Sequence, residues 1–139
     1  MFPYYHYLLV VDDNAGIRRL LFEMLTDEGY NVEIASSGSD ALAKVHVRVP
    51  DLILLDIKMP GLNGLETLTK VRKIFPFIPV VIMTAYSELD TVLRSIESGL
   101  IRYFLRKPFD LDEVRNLVKN ILADKGLKED FKIPKKLSI

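Results

Sequence analysis

Five short apolar runs, each followed by a stretch of helical periodicity, constrain this chain more than any other feature. Tyr7 to Val11, Asn31 to Ala35, Leu52 to Leu55, Val80 to Met83 and Ile101 to Leu105 have the length and residue types of strands. After the first, Ile17, Leu20, Leu21, Met24 and Leu25 recur at i, i+3, i+4, i+7 and i+8, one face of a helix. Ala41, Leu42 and Val45 mark a second helix, and Leu65, Leu68 and Val71 a third. Leu89, Val92, Leu93 and Ile96 mark a fourth, and Val114, Leu117, Val118, Ile121 and Leu122 give the strongest stripe of all. Strands that are nearly all apolar need burial on both faces. The pattern therefore predicts an α/β fold, (βα) repeated five times, with a central parallel sheet and helices on each side.

Turn chemistry supports the same division. Gly29 and Gly99 stop the first and fourth helices. Ser37 with Asp40, and Ser87 with Asp90, resemble helix starts, and Asp110 with Glu113 resembles a capping box. Pro60-Gly61, in the loop KMPGLNG, suits a tight turn, because Pro fixes φ and Gly accepts a positive one. The third helix is expected to begin at Leu65 and to end before Pro76. Residues 1–6 read as a lead-in, 7–124 as one domain, and 125–139 as a mixed-charge tail interrupted by Pro134. That tail is a frayed end, a packing arm or the start of a linker.

Composition excludes several function classes. With 139 residues, 49% of them hydrophobic and 27% charged, the chain has the balance of an ordinary soluble domain. Net charge is zero, so no global field draws it to nucleic acid or an anionic membrane. No cysteine means no disulfide, no thiolate metal site and no thiol nucleophile. The longest apolar runs fall far short of the roughly 20 residues of a membrane span. MFPYYHY lacks the basic start of a signal peptide, so a cytoplasmic location is expected.

The chemistry lies where the apolar runs end. Asp12-Asp13 follow LLVV, Asp56 follows LILL, Thr84 follows VVIM, and Lys107-Pro108 follow YFLR. In an open parallel sheet the carboxyl ends of the strands face one crevice, and ligands bind there. Each residue alone has a plainer role: Asp13 or Asn14 could cap the first helix, Thr84 could be a β-branched strand residue, and Lys107 a solvated lysine. Together they would bring three carboxylates, a hydroxyl and an ammonium into one pocket. Clustered carboxylates repel unless a cation neutralises them, and this donor set suits Mg2+, with Mn2+ as the alternative. Zinc does not fit, because there is no cysteine, and His6 and His46 lie far from the cluster in sequence. No GxxxxGK[ST], GxGxxG or GxSxG pattern is present. Pro108 after Lys107 would fix where the lysine points, and the bond before it is a candidate for the cis form.

With Asp12-Asp13, Asp56, Thr84 and Lys107-Pro108 in order and in strand context, the chain over residues 7 to 124 resembles a response-regulator receiver domain. The resemblance implies a flavodoxin-like fold that takes a phosphoryl group from a phosphohistidine onto Asp56. It implies that Asp13 binds the metal directly, Asp12 through water, and the Lys58 carbonyl as a further ligand. Thr84 and Lys107 would hold phosphoryl oxygens, and Phe104, next to Tyr103, would be the aromatic switch residue. Gly99-Leu100 departs from the usual Gly-Ala of the family and bears on the size of any switch. Lys58 and Tyr86, two residues past Asp56 and Thr84, would flank the path of attacking water and slow hydrolysis.

VDDNAGIRRLL, LLDIKMPGLNG, IMTAYSELD and KPFDLDEVR further resemble the single-domain receivers of the sporulation phosphorelay. Such carriers take phosphate from a sensor histidine kinase and pass it to a phosphotransferase protein. They are phosphoacceptors that catalyse their own modification, not stand-alone enzymes on a small substrate. The resemblance would make Ile17, Arg18 and Leu20, with Pro108 and Phe109, the docking patch, although Ile17 and Leu20 equally fit the buried stripe of their helix. A monomer with no direct nucleic-acid or membrane contact is expected. The alternative is the receiver part of a DNA-binding transcriptional regulator whose output domain lies outside these 139 residues.

Overall fold

Each strand is buried because it is apolar on both faces. In the computed structural model, which describes residues 6–131 and side chains from 6 to 124, β1 (Tyr7–Val11), β3 (Leu52–Asp56) and β4 (Val80–Thr84) are buried at every position. They are flanked by β2 (Asn31–Ala35) and the shorter β5 (Tyr103–Arg106). All neighbouring strands pair in parallel, in the order β2-β1-β3-β4-β5. This is the α/β arrangement that the alternation predicts, and the flavodoxin-like fold that the resemblance implies.

The helices are α1 (Ala15–Asp27), α2 (Gly38–Val47), α3 (Gly64–Ile74), α4 (Leu89–Glu97) and α5 (Leu111–Phe131). Side chains alternate across a strand. Leu9, Val11, Ile53, Leu55, Val80 and Ile82 therefore share one core with Ala41 and Val45 of α2, Leu68 and Val71 of α3, and Val92 of α4. The intervening residues, including Leu8, Val10, Leu52, Leu54, Val81 and Met83, are as fully buried on the other face. α1 packs beside β1 and β2 through Leu21, Met24 and Leu25. The chain divides into two compact units, residues 1–109 and 110–139. In the second, α5 buries Val114, Val118, Ile121 and Leu122.

Caps decide where these helices begin and end. Asn14 caps α1 by accepting the Ile17 N–H, and Ser37 caps α2 by accepting the Asp40 N–H at 3.0 Å. α3 begins at Gly64, one residue before the apolar stripe, because Asn63 and Glu66 form a full capping box. Gly29 and Gly99 take positive φ after α1 and α4, as does Gly61 in the turn after Pro60. Four expectations need correction. Ser87 does not cap α4: its hydroxyl bonds the Glu88 carboxylate, and a 3₁₀ turn, Tyr86–Glu88, leads into the helix. The fifth strand starts at Tyr103, because the Leu100 and Ile101 N–H groups both close back onto Ser95 O at the end of α4. Leu93, assigned to a buried stripe, is 47% exposed, since one helix face cannot turn so wide a stripe inward, and Leu20, left open between the buried stripe and the docking patch, is 43% exposed. The last helix does not decay after Ala123 but runs to Phe131, which leaves 132–139 of the expected tail, and 1–5 of the lead-in, outside the described residues.

Candidate functional site

The register of the sheet builds the site. Val11 pairs with Leu55, so Asp12 and Asp56 leave β1 and β3 side by side. Asp56 itself pairs with Met83, and Thr84 with Arg106, which brings Thr84 and Lys107 to the same edge. The Lys107 N–H donates to Thr84 O at 2.7 Å and ties the ends of β4 and β5 together. The Lys107–Pro108 bond is cis.

Three of the predicted carboxylates converge. Oxygens of Asp12, Asp13 and Asp56 lie within 4.8 Å of one another, with Asp12 and Asp56 buried and Asp13 exposed. Lys107 Nζ donates to Asp12 Oδ2 at 2.8 Å and to Asp56 Oδ1 at 3.3 Å. Asp12 Oδ1 accepts the Asn14 N–H at 2.9 Å, so both oxygens of this buried carboxylate are occupied. Since Asn14 does the capping, Asp13 is left at the mouth of the cluster.

The electrostatics follow from this crowding. Burial pushes the Asp56 carboxyl up to about 6, Asp12 pushes the same way, and Lys107 partly opposes them. For Lys107, burial disfavours the ammonium, but the hydrogen bond and charge of Asp12, then those of Asp56, outweigh it and raise the pKa. Three hard oxygen donors with one ammonium fit a hard divalent ion better than a soft one. The cluster is thus compatible with Mg2+.

The flanking residues divide by exposure. Thr84 is buried and its hydroxyl donates to Ala85 O at 3.0 Å. Phe104 is half-buried, packs against the core with Leu100, and pairs with Ile82. Tyr86 is 77% exposed. Lys58 is exposed too, and its ammonium lies 3.7 Å from the Glu88 carboxylate, bridging the loops after β3 and β4. Beneath that bridge is a cleft of about 340 Å³ lined by Ile57, Met59, Asn63, Leu65 and Thr91 as well. Sequence reasoning missed Glu88, because nothing local marks a contact between loops thirty residues apart.

Of the expected docking residues, Leu20 and Pro108 are exposed, and Ile17, Arg18 and Phe109 are half-buried. Arg18 also holds the turn that carries the acidic pair, because its guanidinium donates to Asp12 O at 2.7 Å. His6 and His46 take no part in the cluster; His46 bonds Leu42 O and packs edge-on against Phe75.

Residues 8–119 match the model of the response regulator receiver domain. The chain belongs to that family. The receiver is 48% identical over 119 residues to sporulation initiation phosphotransferase F of Bacillus subtilis, covering 86% of this chain and 95% of that protein. It is 41% identical to transcriptional regulatory protein ZraR of Klebsiella oxytoca, but there it covers 88% of this chain and 27% of the regulator. Among solved structures, the receiver domain of NtrX from Brucella abortus superposes with a TM-score of 0.78 at 35% identity, covering 84% of this chain and 98% of that one. A response regulator receiver domain protein from Clostridium thermocellum gives 0.81 at 29% identity, over 88% and 98%. Among the described residues, no helix is long and apolar enough to cross a membrane.

Proposed function

We propose that this receiver is a phosphorelay carrier: it accepts a phosphoryl group from a histidine kinase on Asp56 and passes it to a phosphotransferase protein. The observation that supports this most directly is the Lys107 ammonium held between Asp12 and Asp56 at 2.8 and 3.3 Å, beside the exposed Asp13. Asp12, Asp13 and Asp56, with the Lys58 carbonyl, would hold Mg2+, which when bound supplies positive charge against the phosphoryl oxygens.

The step is a displacement at phosphorus. An Asp56 carboxylate oxygen forms the new P–O bond while the P–N bond of the kinase phosphohistidine breaks, and the electron pair returns to the imidazole nitrogen. The Lys107 ammonium, already at the Asp56 carboxylate, turns to a phosphoryl oxygen as negative charge shifts there. Thr84 can do the same once its hydroxyl leaves Ala85 O, and Phe104 lies one residue before Leu105 on the adjoining strand, where it could follow. The reverse displacement, by a histidine of the phosphotransferase, regenerates the Asp56 carboxylate.

The test is intact-protein mass after incubation with acetyl phosphate, with and without Mg2+, on the wild type and on Asp56→Asn. We expect an Mg2+-dependent phosphoryl adduct that the variant lacks. An unmodified wild type under every condition would defeat the proposal. Lys58 and Tyr86 are exposed two residues past Asp56 and Thr84, and we expect Lys58→Ala and Tyr86→Ala to shorten the half-life of the adduct. An unchanged half-life in both removes them from the hydrolysis path.

The near-complete coverage of the sporulation protein supports a role in sporulation initiation and a single-domain carrier. The similarity to transcriptional regulators, of which the chain spans about a quarter, keeps a DNA-regulatory receiver as the second reading. Loss of the Asp56 phosphate to a histidine phosphotransferase domain supports the first, and retention of it the second.

A further inference from the structure

We propose that the end of the sheet opposite Asp56 is a peripheral binding surface for anionic lipid membranes, formed by the exposed apolar tips of α2 and α3 and the cations around them. The proposal is independent of the phosphotransfer reading.

The apolar part is unusual in its exposure. Val47, the last residue of α2, is 87% exposed, and Phe77, just beyond α3, is 86% exposed. Val49 and Ile74 beside them are 48% and 46% exposed. Both helices follow parallel strands and return antiparallel to them, so their carboxyl ends lie together at the amino edge of the sheet. The two helices pack on each other, and the His46 and Phe75 rings, 6.4 Å apart, join their ends. Water-exposed apolar groups gathered in this way mark an interaction surface.

The two segments that carry these apolar tips hold cations and no acid. No Asp or Glu occurs between Asp40 and Asp51, or between Glu66 and Glu88, whereas Arg48, Lys70 and Lys73 are all exposed. Lys70, Lys73 and Ile74 follow helical spacing, so two cations and an apolar side chain share one face of α3, and Phe77 follows just past its end. Arg48 is held in place by stacking 4.1 Å over the centre of the Tyr7 ring. The nearest acid in sequence, Asp51, is half-buried and accepts the Tyr7 N–H. Acids stand on the same edge, Glu33 near Tyr7 and Glu97 at the end of α4, so the cationic character is local to the ends of α2 and α3.

The shape selects the occupant. Val47 and Phe77 stand out as tips rather than line a groove, and the described cleft lies at the other end of the sheet, beside Asp56. A partner protein anchors on pockets, whereas a lipid interface accepts apolar tips between headgroups while lysines and arginines meet the phosphates. A second copy docking through the same patch would set like charges against each other. With α2 and α3 seated on the membrane by their carboxyl ends, the strands would point Asp56 away from it.

The test is flotation of the full chain with vesicles of phosphatidylcholine alone and with phosphatidylglycerol added, at low and high salt. We expect flotation with the anionic vesicles only, reversed at high salt. Val47→Ser with Phe77→Ser, and separately Lys70→Glu with Lys73→Glu, should each weaken it about tenfold. Unchanged thermal melts without vesicles would show that these variants fold. No flotation, equal flotation with neutral vesicles, or full flotation of both variants would each overturn the proposal. So would vesicle-inert wild type that sediments as a dimer while the serine variant is monomeric, which would assign the patch to a second copy.

Discussion

Asp56 is placed under tension that the fold itself creates. Its carboxyl is pushed up to about 6 from an ordinary 3.8, first by burial and then by Asp12. A raised carboxyl pKa means that the folded chain holds this proton more tightly than the unfolded one. The resulting stabilisation is fully present below pH 3.8 and is lost as pH rises through about 6. Without divalent metal, Asp56→Asn should therefore melt higher than the wild type at pH 7, by roughly 1–3 kcal/mol or several degrees in Tm. The difference should shrink toward pH 4, and thermal melts across that range would check it. Lys107→Ala should act oppositely, because it leaves two buried carboxylates with no cation, and should lower the Tm by a larger amount at pH 7 than at pH 4.

At the scale of the element, the loop after β3 and the first turn of α3 position Asp56. Asn63 and Glu66 cap the helix reciprocally, at 2.9 and 3.1 Å. Gly64 follows, and a Cβ there would sit 2.3 Å from Asp56 O and 2.5 Å from Ile57 Cα. No side chain fits between the helix and the strand end. Asn63→Ala should destabilise by about 1 kcal/mol and leave acetyl phosphate labelling near the wild-type rate. Gly64→Ala should destabilise by about 1–3 kcal/mol and also slow labelling, because the strain falls on the backbone of Asp56. Paired melts and labelling rates for the two variants separate these outcomes.

This element also shows why some of the structure was legible in the sequence and some was not. A strand that is apolar at every position has one solution, so β1, β3 and β4 could be placed almost to the residue. Strand ends then fixed Asp12, Asp56, Thr84 and Lys107, since a parallel sheet leaves them one shared edge. Caps were less legible because Asp, Asn and Ser compete for the same position. Asn14 took the role that Asp13 could have filled, Asn63 began α3 where only a turn was expected, and Ser87 bonded its neighbour instead. The Lys58–Glu88 bridge left no trace in either loop, because each looks like ordinary solvated charge.

At the scale of the whole molecule, a metal held by the acidic cluster would couple its binding to folding. An ion that binds the native chain alone stabilises it, by about 2.7 kcal/mol at one hundred times its Kd. Mg2+ should therefore raise the Tm in a concentration-dependent way, and Asp13→Asn, which removes the exposed carboxylate, should blunt the rise. Thermal melts with increasing Mg2+ on both proteins check this. The gain at a fixed Mg2+ concentration should grow as pH rises through about 6, because ionised Asp56 strengthens binding of an ion that relieves its repulsion from Asp12.

Asp12 and Lys107 touch across 95 residues of chain. A ribosome therefore finishes all three carboxylates long before it reaches the ammonium that joins them. An emerging chain cut short anywhere before β5 carries the carboxylates without their cation. On the phosphorelay reading, a phosphoryl donor would meet the complete set of charges only once the last strand is in place.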